Sequence, residues 1–503
     1  MRTSLVVIAL VVCLCAPLTW AQDAAGTGAA GAGTGAAANS GQGPDQGTAG
    51  AAPGSEDDFF GSAQVEAPKG TAEKQGVADA VEQEHVGLSG QLQSMSTYSV
   101  ARSYLQGSGN LGDNSLSNIV GGDFLVDMRL TKGFKAFMDL NVGYVPGGTP
   151  VTHNFTQYSG FPPVGTPLTL VENETTALLI KEVFIDFNIA NTVYFRAGKQ
   201  VLKWGTGYFW HPSDLINIEH ETFTNPDALL EGVFGLRADV VFAPWWHLYT
   251  FTNLNSVGSG DIWDTAFAAR SEFLVGSTEF AVSGWAKSGK IPVLGGDLST
   301  PLPLDWWAKD GHTLNLTAEG TVSYGDNQAK LDPVAGTAYS VSNQLVGKVD
   351  VGLSRTFDAL NVSDRVIVSL EFFWNSDGYS QNMLDPATYP VLGANGPFAF
   401  LSGGYFQSSY YGQYYGAAFV TISDFGTTNM TLTLSGLMNF SDQSGTVLAG
   451  WSWSPVNNFT LSVQLGGYLG GVNREYTVGV NPTTFALTGG NQLFGILTAT
   501  VNF

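Results

Sequence analysis

Cysteine is almost absent from this sequence, which holds only Cys13 and Cys15 among its 503 residues. Both cysteines lie in residues 1–21, which have the form of a secretory signal peptide: Arg2 supplies a positive start, Leu5–Leu18 is apolar, and small residues end the stretch. After removal of the signal the chain would contain no cysteine. A disulfide framework and a thiolate metal site are therefore excluded.

Basic residues are also scarce. The chain has 21 Lys and Arg against 43 Asp and Glu, a formal net charge of −22, which excludes the basic stripe that nucleic-acid binding requires. Long apolar runs are missing as well, because no stretch approaches the ~20 residues of a transmembrane helix. The sequence therefore excludes nucleic-acid-binding proteins and helical membrane proteins.

Low complexity marks the segment that follows the signal, residues 22–86. Alanine and glycine dominate Gln22–Ser55, which carries very little charge. Such a composition cannot bury enough apolar surface to fold, so we expect a disordered periplasmic linker. The chain thus divides into a signal peptide (1–21), a linker (22–86) and a folded part (87–503).

The folded part shows a period of two. In Asn429–Phe440 and Phe459–Tyr468, apolar and polar residues alternate, which predicts strands with one apolar and one polar face. Two all-β architectures share this pattern. A soluble sandwich buries the apolar face in its core, whereas an outer-membrane barrel turns it toward lipid and lines its lumen with the polar face.

Three features favour the membrane barrel: the signal peptide, a final strand Gln492–Phe503 that ends in an aromatic residue, and aromatics at strand ends. These aromatics are Tyr144, Trp204, Trp245, Trp246, Tyr324, Trp374, Trp451 and Trp453. A terminal aromatic is typical of the signal read by the barrel-assembly machinery. We therefore predict an all-β, transmembrane antiparallel β-barrel in the bacterial outer membrane.

The strand count follows from the alternating segments. Strands are predicted to start near residues 88, 119, 134, 177, 193, 233, 246, 265, 278, 313, 344, 364, 414, 429, 445, 459 and 491. Bacterial barrels usually have an even number of strands, and Ile291–Leu302 is the segment that can supply the missing strand. The prediction is then a barrel of about 18 strands.

One hairpin of the sequence gives the most detailed predictions about strand pairing and side-chain orientation. Ala177–Ala190 and Val193–Gly205 are β-rich runs separated by two turn formers. If the hairpin is tight, Asp186 lies opposite Arg196, a cross-strand pair worth roughly 0.2–1 kcal/mol. Beyond Gly198 the alternation slips. A bulge near Gly198 would return Lys199 and Lys203 to the polar face and turn Leu202 and Trp204 outward.

The end of this hairpin resembles a motif of porin-like outer-membrane barrels, including the alginate-export-type porins. The stretch 195–217 reads FRAGKQVLKWGTGYFWHPSDLIN. The matching residues are Arg196, Gly198, Gln200, Trp204, Gly205, Trp210, Pro212, Asp214 and Asn217. The resemblance covers this stretch alone. It implies an outer-membrane channel and says little about the solute.

A long loop, Thr206–Gly232, follows the hairpin, and we expect it to fold over or into the pore. Trp210, His211, Asp214, Glu219 and Glu221 are its candidate constriction residues, with Arg196, Lys199 and Lys203 as an opposite, basic wall. The alternative is a solvated external loop. The spacing of the ligand-type residues His211, Asp214, Glu219, His220 and Glu221 matches no standard zinc motif, so no metal or cofactor is predicted.

The polar faces of the strands carry many charges. Candidate pore-lining residues include the i, i+2 pairs Arg237 and Asp239, and Arg270 and Glu272, beside Asp186. Others are Asp123, Asp127, Arg129, Lys135, Asp139, Glu182, Glu279, Glu319, Lys348, Asp350, Arg365 and Glu371. These charges could form ion pairs that satisfy a polar interior, select solutes, or do both. The acids outnumber the bases, which favours cations.

These observations predict a porin-like channel for passive diffusion of small hydrophilic solutes, with a mild cation preference. Its expected partners are outer-membrane lipids, the solutes, and the barrel-assembly machinery through Phe503. An enzyme is not predicted, because no nucleophile–base pair can be recognised. The alternative is a surface-exposed adhesin or structural barrel whose external loops bind a partner.

Overall fold

The alternating segments form eighteen antiparallel strands in the computed structural model of the chain. The structure describes residues 86–130, 134–144, 154–157, 166–169, 176–189, 192–216, 232–254, 265–303, 313–359, 362–426, 429–480 and 487–503. Apart from Val86, the predicted signal peptide and linker lie outside the described residues. The predicted fold class, a transmembrane-type antiparallel barrel, is confirmed.

The barrel strands are numbered β1 to β18 in chain order. They are Val86–Ala101, Ser115–Leu130, Phe134–Tyr144, Thr176–Ile189, Val193–Gln200, Val233–Ala243, Trp246–Asn253, Ala266–Val275, Thr278–Lys287, Val293–Leu302, Leu314–Tyr324, Leu345–Ala359, Val362–Asn375, Tyr414–Ile422, Met430–Asn439, Ser444–Val456, Phe459–Leu469 and Asn491–Asn502. The first strand, β1, pairs with both β2 and β18, which closes the sheet. The predicted strand Ile291–Leu302 is present as β10, Val293–Leu302.

The remaining elements are short and lie in the connections. They are the two-stranded ribbons Asn154–Gln157 with Thr166–Thr169, Ala329–Leu331 with Ala338–Ser340, and Val478–Val480 with Leu487–Gly489, the helices Arg102–Leu105 and Gly396–Ser402, and the 3₁₀ turns Leu111–Asp113, Pro386–Thr388 and Gly393–Asn395. None of the helices in the described part of the chain has the length and apolar character needed to cross a membrane.

The two ends of the barrel differ in the length of their connections. The long connections, 102–114, 145–175, 201–232, 325–344, 376–413 and 470–490, share one end, which we call the loop end. The opposite, turn end carries mostly short connections and both termini of the barrel. In outer-membrane barrels short turns are periplasmic and long loops external.

Side chains alternate between the outside and the lumen, as β4 illustrates. Val183, Ile185 and Ile189 point outward and are 44%, 52% and 58% exposed, whereas Asp186 on the opposite face is fully buried. An apolar exterior and a charged interior are expected when lipid surrounds a barrel and water fills it.

The predicted bulge near Gly198 is wrong. Gly198 pairs directly with Phe184, and Lys199 with Val183, so the register of this hairpin does not shift. Lys199 therefore stays on the outward face of β5, and its ammonium group donates to the carbonyl oxygen of Ile180 at 2.8 Å.

The register shift occurs instead between β3 and β4. Asp139 pairs with Glu182, and the next residue of β3 pairs with Ile180, so that Lys181 is skipped. Lys181 is thus one residue more on β4 than β3 has at this point, and its side chain points into the lumen. Its ammonium nitrogen lies 3.6 Å from Asp123 Oδ1 and 3.5 Å from Asp139 Oδ2.

Candidate functional site

Asp186 of β4 and Arg196 of β5 form an ion pair on the lumenal wall. They are direct cross-strand partners, as the sequence predicts. Arg196 donates from Nε to Asp186 Oδ1 at 2.7 Å and from Nη2 to Oδ2 at 3.0 Å. The guanidinium also lies over the Phe184 ring, 3.8 Å from its centroid. Two parallel bonds and a stacked ring fix the orientation of this cation.

More cations continue along the same wall. Arg237 is the cross-strand neighbour of Arg196, lies 3.5 Å from Asp239 and sits over the ring of Tyr249 at 5.1 Å. Tyr249 in turn pairs with Arg270 of β8. Like charges on adjacent strands repel, and an adjacent carboxylate offsets that repulsion at each position.

Arg270 ends this series of cations. Both of its terminal nitrogens donate to Asp297 of β10, Nη2 to Oδ1 at 3.0 Å, and its Nε lies 3.4 Å from Glu272. We call Lys181, Arg196, Arg237 and Arg270 the basic row. It follows the lumenal wall from β4 to β8.

The chain leaves the wall after Gln200 and runs into the barrel. We call Val201–Ile216 the inner segment. Its apolar residues, Leu202, Trp204 and Ile216, pack on a lumenal patch that includes Phe251 and Trp285. This patch supplies the hydrophobic contribution to docking the segment.

This packing corrects two expectations. Leu202 and Trp204 were predicted to turn outward, and Trp204 to belong to the aromatic girdle. They are 3% and 7% exposed and lie inside the barrel. The reason is that β5 ends at Gln200, so the alternation of the strand no longer governs these residues.

Two carboxylates of the far wall hold the backbone of the inner segment. Glu319 of β11 accepts the N–H of Gly207 at 2.8 Å and both the N–H and the hydroxyl of Ser213, the N–H at 3.2 Å. Glu371 of β13 accepts the N–H groups of Tyr208 and of Phe209, the latter at 2.7 Å. Since β13 is eight strands from β5 in a ring of eighteen, the inner segment crosses the lumen.

Two glycines permit this close approach. Gly205 has φ +99°, and a Cβ there would lie 2.3 Å from Glu319 Oε2. At Gly207 a Cβ would lie 2.1 Å from the carbonyl oxygen of Trp210 and 2.7 Å from Glu319 Oε1. A larger residue would be strained by the positive φ at Gly205 and would clash with the Trp210 backbone at Gly207.

Trp210 is the largest fully buried side chain of the inner segment, with 0% exposure. Its indole stacks on Phe373, with ring centroids 5.6 Å apart, and its Nε1–H donates to the Ser409 carbonyl oxygen at 2.9 Å. The next residue, His211, donates its backbone N–H to the Tyr410 hydroxyl at 3.1 Å. Ser409 and Tyr410 belong to the connection 376–413, so an external loop helps to hold the inner segment.

Acidic side chains cluster on the barrel wall next to the inner segment. Asp350 of β12 is the cross-strand neighbour of Glu319, and it is fully buried. Within the described ranges neither of its carboxylate oxygens has a hydrogen-bond partner. His211 Nδ1 lies 3.5 Å from Glu319 Oε1. In the same ranges no group of three or more His, Cys, Asp or Glu side chains is arranged to hold a metal ion.

The structure brings most of the predicted site residues to the lumen. Lumenal positions are occupied by Asp186, Arg196, Arg237, Asp239, Arg270, Glu272, Trp210 and His211. Asp214 is partly buried and donates its N–H to the His211 carbonyl oxygen at 3.0 Å. Lys199 faces outward, and Lys203 is exposed beyond the end of β5, so neither belongs to the basic row. Glu219, His220 and Glu221 lie outside the described residues.

The sequence did not indicate the anchoring role of Glu319 and Glu371. Their positions on the polar faces of their strands mark them as lumenal. The sequence does not show, however, that their carboxylates bind backbone amides. Asp297 was missed altogether, although its position on the polar face of IPVLGGDLSTPL would have indicated it. Lys181 was missed because a register shift cannot be read from alternation alone.

The comparisons with known proteins support the fold. No family model and no curated protein matches the chain in sequence. Among solved structures, a BenF-like porin from Pseudomonas fluorescens Pf-5 is similar, with 9% identity over 84% of this chain and 99% of that chain and a TM-score of 0.50. Pseudomonas aeruginosa OccK9 (OpdG) is similar at 10% identity, with the same coverage and TM-score. The fold is thus that of porin-like outer-membrane barrels, and these structures do not support the predicted resemblance to alginate-export-type porins.

Proposed function

We propose that this chain is an outer-membrane channel through which small hydrophilic solutes diffuse passively. The observation that carries the proposal is the inner segment, which crosses a charged lumen and is tied to both of its walls. A segment in that position narrows a water-filled barrel and gives it a selective constriction.

The exterior of the barrel supports the membrane location. Outward residues such as Val183, Ile185 and Leu370 are apolar and at least 43% exposed in the isolated chain. Such a surface would be unstable in water, and it fits the lipid face of an outer-membrane barrel.

The two lumenal walls suggest how a solute would be selected. The basic row occupies β4 to β8, whereas Glu319, Asp350 and Glu371 occupy β11 to β13. Opposed walls of this kind create a field across the channel, and a solute with separated charges would be oriented by it. Because the cations of the row are paired with carboxylates, and acids outnumber bases along the lumen, we expect a mild preference for cations.

The sequence motif in 195–217 motivates a narrower hypothesis, a relation to alginate-export-type porins. It rests on those residues alone. The second candidate function, an adhesin or structural barrel, is favoured by the exposed apolar side chains Val391 and Phe398 in an external connection, which are 70% and 49% exposed.

Planar-bilayer recording of the refolded protein tests the proposal. An open channel predicts discrete conductance steps, and a salt gradient gives a reversal potential of the sign expected for cations. Swelling of protein-containing liposomes in small sugars or amino acids would show passage of hydrophilic solutes. A protein that inserts but neither conducts nor permits swelling would favour the adhesin or structural role.

A further inference from the structure

Two external connections meet above the inner segment at Ser409. Every polar group of this residue is used: its N–H donates to Glu475 Oε1, its carbonyl oxygen accepts from Trp210 Nε1 at 2.9 Å, and its hydroxyl lies 3.0 Å from the Tyr476 hydroxyl. Ser409 has φ +61°, a conformation that non-glycine residues rarely adopt. A residue persists in such a conformation when its surroundings fix it on several sides.

Glu475 is the acid that accepts the hydrogen bond from the Ser409 N–H. It lies in the connection 470–490, its side chain is buried, and its Oε2 accepts a hydrogen bond from Asn439 Nδ2 at 2.8 Å. The backbone of Glu475 is held too, because its N–H donates to Asp442 Oδ2 at 2.7 Å. Beside it, Arg474 donates to the carbonyl oxygens of Asp442 and Gln443.

These contacts form a continuous path from the connection 470–490 to the lumen. It runs from Glu475 through the backbone of Ser409 to the indole of Trp210, and Trp210 belongs to the inner segment. The far wall holds the same segment through Glu319 and Glu371. The segment is therefore held at Trp210 by groups of the external loops and at its neighbouring amides by groups of the barrel wall.

We propose that Glu475 is a positioning residue for the constriction: by holding Ser409 it keeps Trp210, and with it the inner segment, docked across the lumen. The inference rests on the proposed channel function and extends it to the external loops. Loosening the contact between connections 376–413 and 470–490 would then widen or destabilise the constriction without any change in the barrel wall.

The surroundings of Glu475 make this contact dependent on pH. The groups that face it are Asp442 of the turn 440–443, the hydroxyls of Tyr411, Tyr415 and Tyr476, and the adjacent Arg474. Burial, with the charge of Asp442 adding to it, raises the pKa of Glu475 to about 8. The hydrogen bond from the Ser409 N–H by itself favours the carboxylate, but burial outweighs it, so the docked state favours the protonated acid. The docked state is therefore most stable below the ordinary pKa of Glu475 and loses stability as pH rises through about 8.

The test uses the refolded full-length channel and three variants. Glu475→Ala removes both acceptors and should increase conductance and current fluctuations at every pH. Glu475→Gln keeps an acceptor without the ionisable proton, so it should remain quiet at a pH above 8, where the wild-type channel becomes noisier. Trp210→Phe keeps the stacking ring but loses the bond to Ser409, and it should lose the pH response. Asp385→Asn is the matched control, since it removes a negative charge from an exposed site in connection 376–413.

Hydrogen–deuterium exchange provides a readout that does not depend on conduction. In Glu475→Ala, the amides of Gly207, Tyr208 and Phe209 should exchange faster, while amides in the barrel strands should not change. Unchanged exchange and unchanged currents in Glu475→Ala would overturn the proposal. A wild-type protein that does not conduct would overturn the channel function, and the exchange result would still decide whether Glu475 positions the segment.

Discussion

Phe503, the last residue of the chain, is bonded to Gly90 of the first strand. The Phe503 N–H donates to the Gly90 carbonyl oxygen at 3.0 Å, and the Gly90 N–H donates to the Phe503 carbonyl oxygen at 2.9 Å. The aromatic ring lies 5.9 Å from that of Phe124, and a Cβ on Gly90 would come within 2.9 Å of the Phe503 ring. The terminal residue thus extends the closing seam between β18 and β1 by one pair.

Deletion of Phe503 should reduce insertion into the outer membrane more than it reduces the stability of the barrel once formed. The two lost backbone bonds contribute only about 1 kcal/mol each, and the side chain is 53% exposed. The checks are the amount of protein in outer-membrane fractions and the urea midpoint of refolded protein. Phe503→Tyr keeps an aromatic end and should insert normally. Normal insertion of the truncated chain would contradict the prediction.

Removing one partner of the Asp186–Arg196 pair should destabilise the barrel and shift its selectivity. Asp186 is fully buried, and breaking a buried pair costs about 3–5 kcal/mol. Asp186→Asn should also weaken the cation preference, because Arg196 loses its counter-charge, and Arg196→Gln should strengthen it. The double variant should recover part of the lost stability. Reversal potentials and urea midpoints measure these effects, and additive losses in the double variant would argue against the pair.

Glu319→Gln and Glu371→Gln should each loosen the inner segment. Hydrogen bonds to a charged group contribute about 1.5–3 kcal/mol, and each carboxylate accepts at least two from the segment. We expect larger single-channel conductance and faster amide exchange at Gly207 and Phe209. Glu279→Gln is the matched control, since it removes a lumenal charge that makes no contact with the segment in the described structure. Equal effects in all three variants would show that charge alone is responsible.

Much of the barrel could be predicted from the sequence because lipid outside and water inside impose the same period of two on every strand. Asp186 and Arg196 show the strength of this constraint, since a tight turn and unbroken alternation were enough to pair them. The even strand number was enough to indicate β10, whose own sequence is a weak strand signal.

The interior arrangement could not be predicted, because it depends on contacts between residues far apart in the chain. Leu202 and Trp204 follow the end of a strand, where alternation no longer applies, and their apolar partners lie on other strands. Glu319 and Glu371 contact backbone amides, which every sequence has. Lys181 enters the lumen only because one residue is skipped between β3 and β4.

The central claim is that a segment folded across the lumen limits passage through this barrel. Single-channel conductance of a variant in which residues 207–230 are replaced by a short Gly/Ser linker tests it most directly. The variant loses the amides bound by Glu319 and Glu371 and the Trp210 anchor, while the barrel strands remain. The account predicts a larger conductance and a weaker ion preference than in the wild-type channel. Unchanged conductance and unchanged ion preference would contradict it.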